Sequence, residues 1–141
     1  MIDLSRLHPE LTRRWSKISQ AAAILGHPIL PVQGWRSWKD QNELFAQGRT
    51  REGKIVTRAQ GGESWHNYGK ALDFAFMDSQ LKPDWGEDRP WEMIGEMAEA
   101  TGLRWGGRWK VPDRPHLDWV TAGETLAALK AEAMRGGRQP E

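Results

Sequence analysis

Near the start of the chain, Leu11, Trp15, Ile18, Ala22 and Leu25 follow one another at steps of four, three, four and three. That spacing forms one face of an amphipathic helix. It predicts a helix over 9–25 with Pro9 in the first turn, where a missing N–H costs nothing, and Gly26-His27-Pro28 ends it. Ile29 to Trp35 reads as a strand. Ser37, with Asp40 three residues on, opens a short helix predicted to end near Gly48. In KALDFAF (70–76), Leu72, Phe74 and Phe76 alternate with Ala71, Asp73 and Ala75. A period of two is a strand, and it turns Asp73 away from the large apolar side chains, toward a second layer or a cleft.

Residues 48–63, rich in Gly, Arg, Thr and Lys, read as a long loop around a brief extended IVT segment, and a loop of that length in a small domain is commonly functional. Residues 77–89 read as another polar loop. A helix is predicted from about Pro90 to Thr101, with Gly102 just past its end. WGGRW (105–109) is an aromatic segment broken by glycine, and HLDWV (116–120) is a short strand. Thr121 and Glu124 suggest a capping box for a last helix through about Met134. Residues 136–141 are expected to fray. Few long elements, mixed in type, point to an α+β fold: a small central antiparallel sheet flanked by helices, with one domain over 1–135.

The 141 residues suit one such domain. Lys plus Arg number 20 against 19 Asp plus Glu, a net charge of +1, so no global field draws the chain to nucleic acid. No run of apolar residues reaches membrane-spanning length. With no Cys, disulfides and thiolate chemistry are excluded, and any metal must be held by carboxylates and the four histidines, His8, His27, His66 and His116. His8 and His27 lie beside prolines at helix boundaries and read as structural.

Two compact polar clusters remain, SWHNYGKALDF (64–74) and PDRPHLDW (112–119). His66, Asp73 and His116 would supply two imidazoles and one carboxylate and leave the fourth position of a tetrahedral zinc open for water and therefore for catalysis; on spacing alone they read equally as a turn histidine, a strand-edge charge and a solvated histidine. A nearby carboxylate is then needed to move the water's proton, and Asp113 and Asp118 are both close enough in sequence. Alternation puts Asp118 on the same side of its strand as His116, as a hydrogen-bond partner for a ligand or as a solvated edge charge. Of the nine tryptophans, Trp15, Trp35 and Trp119 fall on apolar faces and are expected in the core, while Trp65, Trp105 and Trp109 flank the clusters and are expected to line a groove.

The strings GWRSWKDQNELFAQGRT, IVTRAQGGESWHNYGKALDF and GLRWGGRWKVPDRPHLDW resemble the VanY-like family of zinc peptidases that cut peptidoglycan. The similarity is greatest to the L-alanyl-D-glutamate endopeptidase branch, which includes phage endolysins, and it spans roughly residues 7–131. The family pattern S-x-H-x-x-G-x-A-x-D falls on Ser64, His66, Gly69, Ala71 and Asp73, and D-x-x-H falls on Asp113 and His116. The resemblance implies a hedgehog/DD-peptidase-like fold with the zinc site in a cleft on the open face of the sheet. It implies one zinc per chain on His66, Asp73 and His116, Asp113 as catalytic acid/base, and Arg36 in the catalytic machinery. Gln41 and Ser64 are expected to bind substrate, a peptidoglycan stem peptide. Many carboxypeptidase relatives have Glu where this chain has Asp113, and the Asp favours the endopeptidase branch.

The alternatives are a D-alanyl-D-alanine carboxypeptidase or dipeptidase with the same zinc machinery, and a non-catalytic zinc-stabilised wall-binding module. MIDLSRLHPEL lacks the pattern of a secretory signal. The expectation is a monomer made in the cytoplasm that reaches the wall after release, through a separate holin-type pore, with wall affinity residing in the catalytic domain itself.

Overall fold

The computed structural model describes residues 2–137 and 140. Helix α1 (Pro9–Ile24) starts where its capping residue dictates: His8 Nδ1 accepts the Glu10 N–H at 3.1 Å. Its apolar face buries Leu11, Trp15, Ile18 and Ala22, four of the five residues of the predicted stripe, while Leu25 is exposed beyond its end. Strand β1 (Ile29–Gln33) stops two residues short of the expected Trp35, and its register slips between Pro31 and Gln33. Pro31 has no N–H to give to a ladder, so an irregularity there costs little. Helix α2 (Trp38–Ala46) follows, with Ser37 Oγ accepting the Asp40 N–H at 3.0 Å.

The long loop runs from there to a 3₁₀ turn, Trp65–Tyr68, and contains no strand at the expected IVT segment. Strand β2 (Ala71–Met77) is the centre of the sheet. The polar loop after it holds a two-residue strand that the periodicity does not predict, β3 (Pro83–Asp84). Helix α3 (Trp91–Ala100), strand β4 (Arg104–Trp105), strand β5 (His116–Asp118) and helix α4 (Leu126–Ala133) complete the chain. The last helix begins later than the Thr121 signal implies. Thr125 is its cap, and Glu124 instead accepts from the N–H and hydroxyl of Thr121. The expected fraying falls in large part on residues 138, 139 and 141, which lie outside the described residues.

The sheet order is β1-β2-β5-β4, antiparallel throughout, with β3 paired to the far end of β2. Helices α1 and α3 pack on one face of this sheet. There Leu72, Phe74 and Phe76 of β2 and Leu117 of β5 are fully buried against Leu11, Ile18 and Ile94. Trp105 is also in this core, only 5% exposed. The expectation that it lines a groove is therefore corrected: alternation along β4 turns it inward and turns Arg104 outward. The other face of β2 and β5 is left open, and the period-two pattern puts Asp73 there.

Candidate active site

Asp73 and His116 are direct cross-strand partners in the β2–β5 ladder, so their side chains rise side by side from the open face. His66 comes from the 3₁₀ turn that leads into β2. Ser64 caps this turn, accepting the His66 N–H at 3.3 Å, and Asn67 Oδ1 returns to accept the Ser64 N–H at 3.2 Å. Gly69 ends the turn at φ 69°, and a Cβ there would lie 2.3 Å from the Arg6 carbonyl oxygen. Only glycine both takes the left-handed conformation without strain and leaves that space empty. The turn therefore reverses tightly enough to bring His66 over the start of its own strand.

The three side chains converge on one point. His66 Nε2 and His116 Nδ1 each lie 3.5 Å from Asp73 Oδ1, and one ligand-capable atom from each residue falls within 4.8 Å of the others. The second nitrogen of each ring is committed elsewhere: His66 Nδ1 to the Gly34 carbonyl at 2.8 Å, His116 Nε2 to Asp118 Oδ2 at 2.8 Å. Donation of those N–H groups leaves both lone pairs aimed at the shared point. Asp73 Oδ1 is buried there without a hydrogen-bond partner. An orphaned buried carboxylate oxygen faced by two imidazole lone pairs fits a divalent metal, and two nitrogens with one oxygen fit zinc with an open position.

The charges agree with this geometry. Burial pushes the Asp73 carboxyl up, but the two facing imidazoles outweigh it and hold the group far below the ordinary carboxylate range. His116 is opposed by burial as well, yet Asp118 and Asp73 pull its pKa up to about 9 in the metal-free protein. Asp118 is fully buried. Its carboxyl is raised by burial but lowered further by His116 and by Arg104, which grips it with two bonds of 2.6 and 2.9 Å. It is an anchor for His116, not an edge charge.

Asp113 stands at the cleft surface, and its pKa is raised, by loss of water around it and then by the negative charge of Asp73. Its loop folds against Gly106: the Asp113 N–H donates to the Gly106 carbonyl at 2.9 Å, and a Cβ on Gly106 would lie 2.3 Å from the Asp113 carbonyl oxygen. Arg36 is fixed from both sides of its backbone, its N–H donating to His66 O and its carbonyl accepting from Asn67 Nδ2, each at 3.0 Å. Burial lowers its pKa, while Asp73 and Asp40 act to raise it.

These residues line a cleft of about 770 Å³, walled on one side by the long loop at Val56–Ala59 and on the other by Trp109 and Asp113. Arg36, Ser64, His66, Asp73, Asp113 and His116 all line it. Gln41 does not. It is fully buried on α2, accepting from Arg36 Nη1 at 2.8 Å and donating to the Ala59 carbonyl at 2.8 Å. The expectation that Gln41 touches substrate is corrected: it ties Arg36 to the cleft loop, because a buried amide must spend its hydrogen bonds on protein. Trp65 and Trp109 line the cleft as expected, and Trp109 packs 4.8 Å from the His116 ring. Neither Arg104 as the partner of Asp118 nor Asn67 as the brace of the turn is expected from the sequence. The serine-x-x-asparagine spacing of the turn is the signal that points to Asn67.

Residues 4–112 match the VanY family, described as D-alanyl-D-alanine carboxypeptidase. The chain is also 40% identical over 125 residues to the peptidoglycan L-alanyl-D-glutamate endopeptidase CwlK of Bacillus subtilis (strain 168), covering 82% of this chain and 75% of that one. The chain belongs to the VanY family. Solved structures with the same fold include the L-Ala D-Glu endopeptidase ChiX of Serratia marcescens, with a TM-score of 0.63, 23% identity and 83% of each chain covered. Another is a variant of the vancomycin-resistance D,D-pentapeptidase VanY from the VanB-type cassette in complex with Zn(II). Its TM-score is 0.62 at 15% identity, over 93% of this VanY-family chain and 79% of that one.

Proposed function

We propose that this VanY-family chain is a zinc-dependent endopeptidase that hydrolyses the L-alanyl-D-glutamate bond of peptidoglycan stem peptides. The observation that carries the metal chemistry is the orphaned Asp73 Oδ1 with His66 Nε2 and His116 Nδ1 turned toward it. The choice of bond is supported by the 40% identity to an endopeptidase of that specificity and by Asp, not Glu, at position 113. His66, Asp73 and His116 would hold one zinc per chain, which would supply Lewis-acid polarisation of the scissile carbonyl and an acidified attacking water. Asp113 takes the water's proton and returns it to the leaving amine, and burial and the charge of Asp73, which raise its pKa, favour its holding that proton. Arg36, held by Gln41 at 2.8 Å, presents its guanidinium to the carbonyl oxygen as negative charge develops there. Ser64 orients the turn that carries His66.

Digestion of purified peptidoglycan with mass analysis of the products tests the reading. Fragments with a new amino terminus on D-glutamate are expected. Release of free D-alanine with the L-Ala-D-Glu linkage intact selects the carboxypeptidase, and no cleavage by zinc-loaded protein selects the binding module.

A further inference from the structure

Beyond Asp113 the cleft gives onto a second recess of about 310 Å³, lined by Trp85, Trp91, Pro112, Arg114 and Pro115 among others. Asp113 is the one described residue that lines both. Trp85 lies stacked against Trp91, ring centroids 6.3 Å apart and planes 13° from parallel. Trp91 is a fixed base, 3% exposed, with its indole N–H donating to the Gly86 carbonyl at 2.8 Å. Trp85 keeps 51% of its surface in water and takes no part in the core. A half-exposed indole laid on that fixed base and bordered by Arg114 and Glu87, one cation and one anion, is a flat apolar platform with hydrogen-bonding groups at its edge.

The two ends of the groove differ in character. On the loop side, Arg58 lines the cleft and makes no ion pair among the described residues, so carboxylates are favoured there. On the Asp113 side the lining is aromatic and has no excess of positive charge, with Glu87 and Asp113 against Arg114. A stem peptide has the same asymmetry about the proposed scissile bond. D-glutamate and the residues after it carry carboxylates. The amino group of L-alanine is joined through a lactyl group to N-acetylmuramic acid, an uncharged sugar about 7 Å from the scissile carbonyl, the span of two extended residues.

We propose that the Trp85 recess is a saccharide subsite for the muramoyl sugar that bears the stem peptide, its apolar ring face on Trp85 and its acetamido and hydroxyl groups beside Arg114 and Glu87. This inference rests on the endopeptidase reading. The test compares kcat/KM of the zinc-loaded full chain on two substrates, a disaccharide tetrapeptide and the same tetrapeptide with an N-lactoyl cap and no sugar. The sugar-bearing substrate is expected to be cut about tenfold more efficiently, as burial of one sugar face on an indole implies. Trp85→Ala is expected to bring the ratio close to one, and Trp85→Phe to keep part of it. Equal cleavage of both substrates by the wild type overturns the subsite and leaves the endopeptidase standing. A preference that survives in a folded Trp85→Ala protein overturns the assignment to this recess, and failure to cut either substrate at L-Ala-D-Glu overturns the endopeptidase reading and the subsite with it.

Discussion

Asp113 and Asp118 sit five positions apart and are set for opposite tasks by what surrounds them. Asp118 is fully buried, spent on His116 and Arg104, and held ionised. Asp113 faces the cleft with its pKa raised. Asp113→Asn keeps the shape and all three metal ligands, so zinc content is expected to survive while turnover falls by about 10² to 10⁴. Asp118→Asn leaves Asp113 in place but frees His116 to turn, and zinc affinity is expected to fall by about 10- to 100-fold. Activity per bound zinc separates the two, and loss of it in Asp118→Asn but not in Asp113→Asn would exchange their roles. At this scale His66, Asp73 and His116 were legible through the family motifs they fall on, since spacing alone does not group two histidines fifty residues apart, and alternation put Asp118 beside His116. The partners that tune them were not. Gln41 reads as a polar helix residue, and nothing local shows that it lies fully buried against Arg36. Arg104 meets Asp118 only through the pairing of β4 with β5, 14 residues apart.

Helix α4 buries no residue of its own, and polar contacts hold it in place: Lys130 meets Glu63 of the long loop at 3.2 Å, and the segment that leads into the helix supplies the rest. There Glu124 meets Lys70 at 2.6 Å, at the start of β2, and Lys70 is only 7% exposed. Burial raises the Glu124 carboxyl, but Lys70 and the N–H and hydroxyl of Thr121 lower it further, and the net shift is downward. A carboxyl depressed in the folded state stabilises above its unfolded pKa, about 4.3, and that stability is lost as the pH falls through the folded value. Glu124→Gln leaves a buried ammonium without its partner and is expected to cost about 3 kcal/mol in urea denaturation at pH 7. The cost should shrink as the pH falls through the folded value of Glu124, where the wild type loses the pair as well. A difference that is independent of pH would place the effect in packing and not in the ion pair. The same segment shows where sequence reading of elements stops. Helix α1 was legible because an apolar stripe repeats the period over four turns and α3 because Gly102 marks its end, whereas β3 and β4 have two residues each and no period to read. The Thr121 signal named a real side-chain interaction but the wrong helix start, since Thr125 offers the same chemistry four residues later.

Over the whole molecule, strand order was the part that local pattern left undetermined. The pairing of β2 with β1 on one edge and β5 on the other brings together residues forty or more positions apart, and such pairing is chosen by the common core of Leu72, Phe74 and Leu117. That arrangement leaves three ligands on two strands and a turn, with the core behind them and no covalent link between them, so a bound zinc would join the turn directly to the sheet. Its removal should be felt by the fold. With free zinc about 1,000-fold above its dissociation constant, linkage gives about 4 kcal/mol, a melting-temperature difference on the order of 10 °C for a domain of this size. The difference also has a sign in pH. Without metal, His116 has its pKa raised to about 9. A raised histidine stabilises the metal-free fold below its unfolded value, about 6.5, and loses that contribution as the pH rises through the folded value. Zinc needs the neutral ring and must displace this proton, so its own contribution grows over the same interval. The gap in Tm between zinc-loaded and chelated protein is therefore expected to widen from pH 6 to pH 9 in scanning calorimetry. A gap that stays constant would remove His116 from the ligand set, and no gap at any pH would remove the metal.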